Sequence, residues 1–148
     1  MKIKLMTILC SFFLSLFAYA EESVVVIMNS NSKVEKVDRK ELQSFYSGES
    51  NRFANKIAVK LSKRSDDAVR DSFYKMIGYS ENQAAGNIAK LQATGRGDKI
   101  VTQKPLSDVK AAIEFVTINA DGGIAHMTKS EYNALSPEDK KTVKIVFE

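Results

Sequence analysis

Tryptophan is missing from this chain, and cysteine, histidine and proline are nearly so: one Cys, one His and two Pro among 148 residues. One cysteine, Cys10, closes no disulfide within the chain and builds no thiolate metal site. One histidine, His126, forms no histidine cluster, and its place near a strand end reads as structural. No nucleophile elbow, HExxH helix, phosphate-binding loop or paired-carboxylate motif is present. The expectation is a non-enzyme without catalytic residue, metal or cofactor. A basic stripe interleaved with aromatics is also missing, which argues against nucleic acid as a partner.

Long hydrophobic runs are scarce too. The one present extends from Leu5 to Phe17, behind Lys2 and Lys4, and Ala18-Tyr19-Ala20 follows with small residues at −3 and −1. That is the pattern of a secretory signal peptide cleaved after Ala20, and it is too short to span a bilayer comfortably. Residues 1–20 are thus read as the leader and 21–148 as a single exported, soluble, periplasmic domain of ordinary size. Cleavage removes Cys10 and two lysines, so the net charge falls from +4 to about +2. Burial alone then holds the core, which 44% apolar residues can supply.

What remains alternates strands with helices. Ser23 to Met28 is a β-branched run suited to a strand covered on both faces. A polar turn follows, Asn29-Ser30-Asn31-Ser32-Lys33. Asp38 with Glu41 forms a capping box, Leu42, Phe45 and Tyr46 share a face, and Gly48 stops the helix. Ile57 to Leu61 predicts a second strand, and a helix capped at Ser65 buries Val69, Phe73, Met76 and Ile77 before Gly78. Ser80 and Gln83 open a third helix lined by Ala84, Ile88 and Leu91. Ile100-Val101 predicts a short strand ended by Pro105. Ser107 caps a fourth helix burying Val109, Ala112, Ile113 and Val116. Ile124 to Met127 and Thr142 to Phe147 are the last strands, with a short helix at Ser136-Pro137 between them. The fold class is α/β: a central mixed sheet of about four to five strands flanked by helices.

Three places offer donors to an anion. At the strand-to-helix junction, Arg64 and Ser65 are expected at a bend open to solvent, beside free helix N–H groups, although Asp66 and Asp67 already serve the helix dipole there. In Thr94-Gly95-Arg96-Gly97 the glycines open the backbone and Arg96 supplies charge. Asn29 and the serines after it follow the first strand, at a position where open α/β sheets hold ligands. Each also has a plain alternative, as a cap, a solvated pair or a turn former.

In order, VVVIMNSNS, DRKELQSFYSGES, IAVKLSKRSD, AVRDSFYKMIG, TGRG, Pro105 and GGIAHM resemble the phosphate ABC transporter substrate-binding protein family, in particular its short single-lobe members. The resemblance covers essentially all of residues 21–148. It implies one lobe of a type II periplasmic-binding-protein-like fold, with inorganic phosphate or a similar oxyanion as ligand. In full-length relatives phosphate lies between two lobes, and a serine-glycine-threonine turn after an arginine donates to it. Arg64, Ser65 and Asp66 match the start of that motif. Ala68-Val69-Arg70 stands where the serine, glycine and threonine would be, so two hydroxyl donors are lost and Arg70 brings charge instead. His126 stands where relatives often carry tyrosine. One lobe offers half a site, so the implied binding is weak and salt-sensitive unless a second copy or an envelope partner such as a membrane transporter completes it. The other expectation is a lobe that has lost its ligand and serves an envelope complex as an accessory module.

Overall fold

Four β-branched residues in a row, Val24 to Ile27, favour extended backbone because their χ1 freedom is already small. In the computed structural model, which describes residues 22–148, they begin β1 (Val24–Asn29). The leader and its cleavage point lie outside the described residues. Val24, Val26 and Met28 enter one core layer and Val25 and Ile27 the other. The strand is thus covered on both faces, each buried side chain contributing roughly 1.5–3 kcal/mol relative to exposure.

The chain continues through α1 (Arg39–Tyr46), β2 (Lys60–Arg64), α2 (Asp67–Ile77), α3 (Glu81–Ala93), β3 (Gln103–Leu106), α4 (Val109–Ile118), β4 (Gly123–Thr128), α5 (Lys129–Asn133), α6 (Pro137–Thr142) and β5 (Val143–Phe147). The strands form one five-stranded mixed sheet in the order β3-β2-β4-β1-β5. β2 is parallel to β3 and β4, whereas β1 runs antiparallel to both β4 and β5. Leu42, Phe45 and Tyr46 of α1 and Phe73 and Ile77 of α2 pack on one face, and Ala112, Phe115 and Val116 of α4 on the other. No described helix is long and apolar enough to cross a membrane.

The capping boxes at Asp38/Glu41 and Ser80/Gln83 form as their spacing predicts, and Gly78 takes a left-handed φ of 75° to close α2. Gly122 has a different reason: a Cβ there would lie 2.0 Å from the Ala58 carbonyl oxygen, so only glycine fits the close approach before β4. Five expectations about these elements are corrected. On α2, Tyr74 takes the buried place expected of Met76, which is half-buried. β2 starts at Lys60 rather than Ile57. The third strand in sequence is Gln103–Leu106, not Ile100-Val101, and Pro105 lies within it; an edge strand tolerates the missing N–H. In α3 only Ala84 is buried, with Ile88 and Leu91 half-buried. In α4, Phe115 takes the buried place expected of Val109 and Ile113, which are half-buried.

Candidate functional site

Parallel strands bring their carboxyl ends to one edge of a sheet, and ligands of open α/β folds sit outside that edge. Here β2, β3, β4 and β5 end on that side and β1 begins there. Val24 stands opposite Thr128 and Val26 opposite Phe147, so both ends of the described chain leave from the same place. Three helices start at this edge, α2 after β2, α4 after β3 and α5 after β4.

All three starts are closed by side chains. Asp66 accepts from the Val69 N–H at 3.2 Å and Asp108 from the Ala111 N–H at 2.8 Å. At α5, Thr128 Oγ1 accepts from the Glu131 N–H at 3.0 Å, and the Glu131 carboxylate accepts from the Thr128 N–H at 2.9 Å. Capping at Ser65 and Ser107 is therefore corrected to Asp66 and Asp108. The Ser65 N–H still donates to the Leu106 carbonyl at 2.9 Å, which holds Ser65 to the sheet and moves the α2 cap one residue on. These caps place carboxylates where an incoming anion would meet the helix dipoles.

Arg64, the last residue of β2, is not at an open bend. It is 4% exposed, and its guanidinium grips Glu131 with both ends: Nη1 to Oε2 at 2.8 Å and Nη2 to Oε1 at 2.9 Å. This is the planar bidentate geometry that arginine offers carboxylates and phosphates alike. The pairing raises the guanidinium pKa, and through Arg64 and then the Thr128 N–H it holds the Glu131 carboxyl below its ordinary range. The third nitrogen of the guanidinium, Nε, is buried without a hydrogen-bond partner. Glu131 was not singled out from the sequence. The signal that finds it is the Thr128-x-x-Glu131 capping-box spacing at the end of a strand.

Ser65 and Asp66 are exposed beside Arg64. Arg70 lies on the same turn, and its guanidinium is taken: Nε donates to Glu81 at 2.8 Å, Nη2 to Asp67 at 2.6 Å and Nη1 to the Arg64 carbonyl at 3.0 Å. Arg70 thus ties down the junction rather than presenting open charge. Asn29 is at the opposite edge of the sheet, because β1 is antiparallel and its carboxyl end meets Val143, where β5 begins. Its Oδ1 accepts from the Asn31 N–H at 2.9 Å, the role of a turn former. Arg96 is exposed in the loop leading toward the start of β3, with Nε 3.4 Å from Thr94 Oγ1. The structure brings together Arg64, Ser65, Asp66 and Arg70 and separates Asn29 and Arg96 from them.

His126 is inside β4, 1% exposed, and its ring stacks on Phe73 at 4.1 Å with 7° between the planes. Neither ring nitrogen has a partner. Burial, reinforced by the Arg64 charge, lowers its pKa to about 3, so the ring is neutral at pH 7.

No protein-family model matches the sequence, and no curated protein does either. Solved structures do. An ABC-type phosphate transport receptor from Vibrio cholerae superposes with a TM-score of 0.58 at 12% identity, over 84% of this chain and 45% of the receptor. A protein from Clostridium perfringens, described as a phosphate ABC transporter substrate-binding protein with bound phosphate, gives a TM-score of 0.59 at 14% identity, over 84% of this chain and 44% of its own. The chain spans less than half the length of either. It therefore has the α/β fold of a single periplasmic-binding-protein-like lobe, and its neighbours in structure are phosphate ABC transporter substrate-binding proteins.

Proposed function

We propose that this protein is an exported, periplasmic, non-enzymatic solute-binding lobe linked to phosphate transport, with half of an oxyanion site at the edge around Arg64. The observation that carries this reading is the buried Arg64 guanidinium at that edge, which holds a carboxylate with both terminal nitrogens in the geometry it would offer an oxyanion. An oxyanion held from one side only keeps much of its water, so a second surface must complete the site. A membrane transporter, another envelope protein or a second copy of the chain can supply it. Arg64 is the principal donor and Ser65 its neighbour on the exposed turn. The proposed site leaves out Asn29 and Arg96, which stand away from Arg64.

One observation favours a second reading. Both terminal nitrogens of Arg64 are already taken by Glu131, as in a lobe that has given up its ligand and acts as an accessory module of an envelope complex. Calorimetric titration of inorganic phosphate into residues 21–148 separates the two. The first reading predicts saturable binding at low salt, with a dissociation constant on the order of 1 mM, weakened by added sodium chloride. Absence of heat throughout the millimolar range, in the wild type and in a variant lacking the Glu131 carboxylate, retires it in favour of the second.

A further inference from the structure

The Glu131 carboxylate has the contacts a bound oxyanion would have. It receives two parallel N–H donors from the Arg64 guanidinium and a third from the Thr128 backbone, and it lies at the carboxyl end of the parallel strands. The guanidinium beneath it is fixed at the end of β2 and 4% exposed, with Nε unpartnered. The Glu131 side chain is more open, at 28% exposure, and stands on the short helix α5. The two residues are 67 apart in sequence, so nothing local requires them to meet. Asp66 and Asp108 lie close enough for their charges to act on Arg64 without bonding to it, which leaves Glu131 as the one carboxylate seated on the guanidinium among the described residues.

We infer that Glu131 is a resident, tethered ligand of the Arg64 oxyanion seat, and that a free oxyanion binds only when this carboxylate swings out. The inference deepens the solute-binding reading and rests on it, since it describes how that same site is regulated. A tethered competitor acts at high effective concentration. The apparent affinity for a free oxyanion is then the intrinsic affinity multiplied by the small fraction of molecules with the seat open. A partner that draws the Glu131 carboxylate toward its own cation would open the seat, coupling docking to oxyanion capture without any large movement of the lobe.

The test is calorimetry with inorganic phosphate on the wild type, Glu131→Ala and Glu131→Gln, at low ionic strength with chloride matched. Removing the carboxylate is expected to tighten phosphate binding at least about tenfold in both variants. Phosphate should also raise the melting temperature of both more than that of the wild type. Arg64→Gln combined with Glu131→Gln should lose the gain. Should Glu131→Ala prove too unstable to titrate, Glu131→Gln keeps the side-chain volume and carries the measurement. If the wild type and Glu131→Gln bind phosphate equally, the inference falls and the solute-binding reading stands. If no variant binds phosphate, the solute-binding reading itself falls and takes the inference with it. A gain that survives loss of Arg64 would also overturn the inference, by placing phosphate elsewhere.

Discussion

Glu131→Ala is expected to lower folding stability by about 3–5 kcal/mol, measured as the shift of the urea transition at pH 7. The size follows from what is left behind rather than from what the pair contributes net. Arg64 cannot shed its charge, and at 4% exposure it cannot recover its water. The variant also loses the Glu131 half of the capping box at Thr128. Glu131→Gln should cost less, because it keeps the side-chain volume and one neutral, weaker acceptor that a free oxyanion can displace. Replacing both partners, as Arg64→Met with Glu131→Leu, should restore most of the loss, since an apolar pair leaves no charge stranded. If Glu131→Ala is within about 1 kcal/mol of the wild type, the value expected of an open surface pair, Arg64 is not sealed as described.

Acid should unfold this protein early, and His126 should be the reason. The folded state holds the ring neutral down to about pH 3, whereas in the unfolded chain it titrates near its ordinary value of about 6.5. Between those two values the unfolded state binds the extra proton, so stability falls as pH falls. The slope approaches about 1.4 kcal/mol per pH unit once the pH is well below 6.5. Arg64, Arg70 and Glu131 are the charged groups acting on the ring, and the two arginines oppose its protonation. The Glu131 contribution enters lower: its stabilisation is complete above the ordinary glutamate value of 4.5 and is lost as pH drops through the depressed folded one. Denaturation at pH 7, 6 and 5 therefore isolates His126. His126→Leu, close in volume and free of two unpartnered nitrogens, should be nearly flat over that range and no less stable at pH 7. A wild-type stability unchanged from pH 7 to pH 5 would contradict the buried, neutral ring.

Local patterns carried the sequence reading a long way. β1, α1 and the start of α3 follow from a β-branched run and two capping boxes, each settled within a few residues. Strand direction did not follow. Asn29 and Arg64 both end a strand, but β1 runs against β4 and β5, which sends Asn29 to the far edge. The partner of Arg64 is hidden from the sequence for the same reason. The partner that closes Arg64 lies 67 residues away, and only the sheet order β3-β2-β4-β1-β5 brings the ends of β2 and β4 together. The helix starts at Ser65 and Ser107 each missed by one residue, because the Ser65 N–H stays in the sheet ladder and because Asp108 carries the side chain that accepts from the α4 backbone.

The account turns on one contact, the Glu131 carboxylate seated on the Arg64 guanidinium. Carbon-detected NMR titration of the Glu131 carboxyl group in the folded wild type measures it directly. A midpoint below 4.5 that rises in Arg64→Gln is the predicted result; a midpoint at or above 4.5, indifferent to Arg64, would contradict it.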